Sequence, residues 1–126
     1  MSRMYVISAL FYAIAGLLLG IYMAATKNHG QLVTHAHIML AGFVVSFVYG
    51  LCYKLWLGDV RSKLSSLQFV LHQAGVLVLS LGLFLLYGMF VAPESIDPVL
   101  ALSSIAVLLG MILMTVMFFR GQQQAV

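Results

Sequence analysis

Two histidines, His35 and His37, stand one residue apart near the start of an apolar run that carries no charged side chain until Lys54. An imidazole within a hydrocarbon-spanning segment is costly and is commonly kept there for a ligand or a proton, which makes metal or haem ligation the first chemistry to consider. Successive residues on an α-helix turn by about 100°, so positions i and i+2 point roughly 200° apart. His35 and His37 therefore face nearly opposite ways and cannot close on one ion from a single helix. If both are ligands they serve two sites, each needing its second ligand from elsewhere. A head-to-tail oligomer supplies it, with His35 of one copy facing His37 of the next across each interface. The bland alternative is ordinary hydrogen bonding near the membrane interface.

The other histidines weigh differently. His29 falls in a short polar connection where water satisfies it. His72 lies about 14 Å along its helix from Lys63, beside Gln73, and reads first as a helix-to-helix hydrogen bond. An alternative has His37 and His72 hold one haem within a single chain. Helical rise alone sets these two about 10 Å apart in depth, although helix tilt would close part of that gap.

The elements that position these residues follow from composition. The chain has 126 residues, of which 63% are hydrophobic and 7% charged, and its mean hydropathy is +1.11; this is the composition of an integral membrane protein, one domain in length. Uncharged stretches cover 4–26, 28–53, 64–93 and 98–119, each meeting the roughly 20 residues a spanning helix needs. The expected fold is all-α, a transmembrane four-helix bundle with helices at about 4–26, 33–56, 64–90 and 98–119. Short connections at 27–32, 57–63 and 91–97 imply up-down-up-down order. Pro98 suits the first turn of the last helix, with Asp97 next to its cap.

Arg3, Lys54, Arg61, Lys63 and Arg120 gather at one end of such a bundle and Lys27 alone at the other. The positive-inside rule then places both termini in the cytoplasm, in a bacterial inner membrane, with the histidine pair toward the outer side. A net charge of +3, dispersed in this way, points to no nucleic-acid partner. Gly16 and Gly20 form a GxxxG and Ala106 and Gly110 share its spacing, so helices should approach closely there. Tyr5, Tyr22, Tyr53, Trp56 and Phe118 sit near helix ends, as an interfacial aromatic belt would. The methionines, Met39 included, read as core filler.

The run His35-Ala36-His37-Ile38-Met39-Leu40-Ala41-Gly42, followed by Phe43, Phe47, Gly50 and Tyr53, resembles the tenth helix of haem–copper oxidase subunit I, and the small four-helix proteins described as subunit-I-like. The resemblance implies haem b, with His35 and His37 as axial ligands of separate haems, Gly42 as the glycine of the motif, and electron transfer as the function. It also implies a homotrimer, since a four-helix chain is one of three pseudo-equivalent groups in the large subunit; a dimer is the alternative. Neither a His-His pair nor a His-x-x-x-Tyr motif is present, so copper and oxygen reduction to water are not expected. Lys27, His29 and Gln31 are placed to meet haem propionates, and the quinone pool or a cytochrome would be the redox partner. The contrasting reading is a cofactor-free membrane assembly subunit whose histidines only bridge helices.

Overall fold

A computed structural model of the chain describes residues 1–59 and 61–125, the last four by backbone alone. It contains four long helices: α1 (Ser2–Thr26), α2 (Leu32–Leu55), α3 (Lys63–Tyr87) and α4 (Pro93–Ala125). Each is long and apolar enough to cross a membrane.

Contacts fix the order of the bundle. Gly20, Gly16 and Tyr12 of α1 meet His35, Met39 and Gly42 of α2 in turn, so the first two helices run antiparallel. Gln31 bonds to Phe84 and Tyr53 to Gln68, which makes α2 and α3 antiparallel as well. Gly75 meets Ser103 and Val107, whereas Gly82 meets Leu100 and Ile96, and α4 therefore descends against α3. The up-down-up-down order expected from the short connections follows.

The burial pattern inverts that of a water-soluble bundle. Phe11 and Leu102 are 70% and 69% exposed, and such apolar side chains cover the outer surface; in water a shell of this kind would drive aggregation. Thr34, Ser46, Ser65, Gln68 and His72 are enclosed instead. Apolar residues facing out and hydrogen-bonded polar residues facing in are what a hydrocarbon solvent selects.

Helix α2 is not regular. Ile38–Val44 forms a π-helical segment, in which the Val45 N–H reaches back five residues to the Leu40 carbonyl. One extra residue in a turn shifts the phase of everything beyond it by about 100°. Gly42 and Gly50 illustrate the result, since both meet α1, the first at Tyr12 and the second at Val6 and Ser2. Eight α-helical steps would leave them about 80° apart, whereas seven effective steps bring them back onto one face.

The fourth helix starts earlier than expected. Pro93 opens it and Pro98 lies inside it, so the 91–97 connection is largely helical. Pro93 already supplies the favoured first-turn proline, with Glu94 beside it on the positive end of the helix dipole. Pro98, one turn further in, forfeits a single backbone bond, a modest disruption so close to a helix end. The α3 start is closed by a reciprocal cap, with Ser62 Oγ accepting from the Ser65 N–H at 3.1 Å and Ser65 Oγ accepting from the Ser62 N–H at 2.7 Å.

The α2–α3 connection is tied to the start of α1 through Asp59. Its carboxylate accepts from the Ser2 N–H at 2.6 Å and the Ser2 hydroxyl at 2.7 Å, and the Met1 amino nitrogen lies 3.1 Å away. The two Ser2 donors, followed by the amino group, hold the Asp59 carboxyl well below the usual carboxylate range. A carboxyl with a lowered folded-state pKa stabilises the fold above its ordinary pKa of about 4, and the contribution fades as pH falls further. Asp59→Asn should accordingly lower the melting temperature in detergent at pH 7, with the gap to wild type narrowing at pH 3; a gap that widens on acidification contradicts this clasp.

Candidate functional site

His35 and His37 belong to the first, α-helical part of α2, before the π segment. The His35 ring packs on α1 at Gly20, where a Cβ would stand 3.1 Å from its Cε1. Its Nδ1 lies 2.8 Å from the Gly16 carbonyl. His37 turns away from that seam, and its Nδ1 lies 2.8 Å from the Val33 carbonyl, one turn back on its own helix. The two rings thus part company as the two-residue spacing requires.

A carbonyl oxygen only accepts, so in both rings Nδ1 carries the proton. The neutral imidazole then presents Nε2 as a lone pair. Among the described residues neither Nε2 has a hydrogen-bond partner, and neither is among the enclosed side-chain atoms left without one. Neither is fully enclosed by the single chain, though His35 Nε2 lies along α1, 3.8 Å from where a Gly20 Cβ would stand. A histidine whose Nδ1–H is tied to a backbone carbonyl and whose Nε2 is free is in the tautomer and orientation that metal ligation uses.

The neighbours named by sequence reasoning are distributed as follows. Gly16 receives Met39 and Ile38, and Gly20 receives His35, so the GxxxG of α1 is the groove into which α2 settles. Gly42 is buried, and the space a side chain would take is filled by the Tyr12 ring, 2.7 Å from the would-be Cβ; its smallness serves the α1–α2 packing. Lys27 and His29 are exposed in the connection below His35. Gln31 is turned inward, its amide nitrogen donating to Phe84 O at 2.9 Å and its oxygen accepting from the Thr34 hydroxyl at 2.7 Å. Among the described residues no three His, Cys, Asp or Glu side chains cluster as a metal site.

His72 is placed quite differently. It is fully buried, with Nε2 3.1 Å from Ala41 O inside the π segment and 3.2 Å from Ser46 Oγ. Nε2 must carry the proton to meet a carbonyl, which leaves Nδ1 enclosed and without a partner. The Tyr49 ring stands edge-on at 4.9 Å, and the backbone of α4 passes close at Gly110. The structure does not bring His37 and His72 together, since His72 reaches α2 at least one turn beyond His37 with its donor engaged.

Beside His72 lies a polar cluster that sequence reasoning missed. Tyr5 and Tyr53 are 0% and 1% exposed; they are core residues rather than members of an interfacial belt. Both hydroxyls donate to Gln68 Oε1, and Gln68 Nε2 donates to Gly110 O at 3.3 Å. The two rings stack at 5.7 Å. The available signal was Gln68 itself, an amide that a lipid-facing position would not tolerate and whose two-sided chemistry matches two phenols and a carbonyl. Trp56 and Tyr22 do remain exposed near helix ends.

Set against known proteins, the chain matches no family, no curated protein and no solved structure.

The shared acceptor sets a clear order of mutational effects. Gln68→Leu leaves the Tyr5 hydroxyl without an acceptor and the Tyr53 hydroxyl with only the Met117 sulfur at 3.9 Å, and should cost about 2–4 kcal/mol. Tyr5→Phe removes one donor while Tyr53 still satisfies Gln68, costing about 1 kcal/mol. Thermal unfolding followed by helical circular dichroism in detergent measures both, and equal losses would contradict a common acceptor.

Proposed function

We propose that the chain is a b-type haem protein of the bacterial inner membrane that transfers electrons. In this reading His35 and His37 are axial ligands of haems shared between copies of the chain. The observation that carries it is the matched state of the two rings. Each donates Nδ1–H to a backbone carbonyl at 2.8 Å and leaves Nε2 without a partner among the described residues. The donor set fits haem iron, which takes neutral imidazole nitrogen, and the carbonyl partners hold each ring in the required tautomer. The opposed directions call for His35 of one copy and His37 of another at each iron, and cyclic closure, as a trimer, satisfies every ring.

Haem held by two imidazoles cycles one electron and has no open coordination position, which suits electron transfer. The residues of this chain orient and shield. Gly16 and Gly20 seat the His35 ring, Lys27 and His29 offer positive or hydrogen-bonding groups to propionates, and the apolar surface excludes water. The resemblance of 35–53 to the tenth helix of haem–copper oxidase subunit I supports the same reading. With its Nε2 bonded within the chain, His72 gains no support as an axial ligand. The charge bias toward the Arg3, Lys54 and Arg120 end supports cytoplasmic termini. A quinone or a cytochrome is the redox partner this reading calls for.

Protein purified in detergent from haem-replete cells should show a Soret band, with sharp α and β bands on reduction. His35→Ala and His37→Ala should each remove the low-spin spectrum, since every iron would lose one of its two ligands, while His72→Ala should leave the band positions in place. A colourless wild-type preparation overturns the proposal, and loss of the spectrum in His72→Ala alone would return the within-chain pairing.

A further inference from the structure

At the opposite end of the bundle from the histidine pair, the α2 terminus, the α3 start and the end of α4 leave a cavity of about 600 Å³. Its walls are of two kinds. Trp56, Leu57, Leu64 and Met117 form an apolar side, and Lys63, Arg120 and the Ser62 and Ser65 segment form a cationic, hydrogen-bonding side. Among the described residues neither Lys63 nor Arg120 has a hydrogen-bonding or ionic partner; Asp59, the acidic residue nearest in sequence, is engaged by Ser2. The cavity therefore pairs two uncompensated cations with an aromatic and aliphatic wall at the level where a spanning bundle leaves the hydrocarbon.

We propose that this cavity binds the headgroup of an anionic phospholipid, with the phosphate between Lys63 and Arg120 and the upper acyl chains along Trp56, Leu57 and Met117. The chemistry of the walls selects this class. A phosphate diester matches a guanidinium and an ammonium, and an indole at a helix end belongs beside a lipid glycerol region. The volume suits a headgroup and the first methylenes of its chains, within the range of small-molecule sites. A zwitterionic lipid would bring its own ammonium against the two cations. The site stands apart from the haem reading and rests only on the helices spanning a bilayer.

The test uses the full chain in a neutral detergent, with native mass spectrometry reading the bound fraction of added phosphatidylglycerol or phosphatidylcholine. Phosphatidylglycerol should bind the wild type more tightly than phosphatidylcholine. Lys63→Gln with Arg120→Gln should weaken it by about 30-fold, roughly fivefold per cation removed near a membrane surface. The exchange of Lys63→Arg with Arg120→Lys should keep most of the affinity and shows that the fold tolerates change at these positions. Arg3→Gln with Lys54→Gln removes equal charge from the same end outside the cavity and should leave binding within about twofold; an equal loss there would reduce the effect to diffuse surface charge and overturn the site. Equal binding of the two lipids overturns it as well. Glycerol phosphate that competes as strongly as the intact lipid would make the occupant a free phosphate compound and overturn the lipid assignment.

Discussion

Within hydrocarbon no solvent completes an unmet hydrogen bond, so a polar group in this bundle is met from inside it or left unmet, as His72 Nδ1 and Ser80 Oγ are among the described residues. The chain meets that demand in a repeated way. At three seams a side-chain donor reaches a backbone carbonyl of the neighbouring helix: His35 to Gly16 O between α2 and α1, His72 to Ala41 O between α3 and α2, and Gln68 to Gly110 O between α3 and α4. A helical carbonyl that already accepts from its own helix has a second lone pair. A donor reaches it most easily where the local backbone is bare, and each of these three carbonyls belongs to a glycine or sits next to one; the long Gln31 side chain reaches Phe84 O without that help. Small residues therefore do two jobs at once, bringing helix axes close and exposing the acceptors that the polar side chains need.

The π segment of α2 extends this logic from single bonds to the aim of a whole helix. Before it, the α-helical spacing sends His35 toward α1 and His37 away from it. Beyond it, the one-residue phase shift keeps Gly42 and Gly50 on the α1 face and sets Ser46, Tyr49 and Tyr53 toward the interior, where they meet His72, Met111 and Gln68. His72 donates into the segment at Ala41, so the irregular stretch is also a point of attachment. A regular helix over the same residues would keep one of these two sets of contacts and lose the other.

What was legible in the sequence was whatever depends on local pattern. The four spans, their order and the divergence of His35 from His37 follow from hydropathy, connection length and helical period, and the structure has all three. The start of α4 was placed one turn late because two prolines each satisfy first-turn rules and only the fold chooses Pro93. Tyr5 and Tyr53 were misplaced for a different reason: proximity to a helix end suggests an interface, but their depth is set by Gln68, which lies 63 residues from Tyr5. The π segment had no local signal at all, since an inserted residue shows itself only when both ends of the helix have partners to face.

The contrast among the histidines carries the functional argument furthest. His72 satisfies its donor wholly within the chain, and its ring is closed off by Tyr49 and by the α4 backbone at Gly110. It completes a packing unit, with its Nδ1 enclosed there and unpartnered among the described residues. His35 and His37 are each tied at Nδ1 and, like His72, have one ring nitrogen without a partner among the described residues, but theirs is not fully enclosed. Water at the membrane interface would satisfy such an acceptor, and so would a metal ion. The pairing of a restrained Nδ1 with an unpartnered Nε2 is the observation on which the proposal of a ligand held between copies of the chain rests.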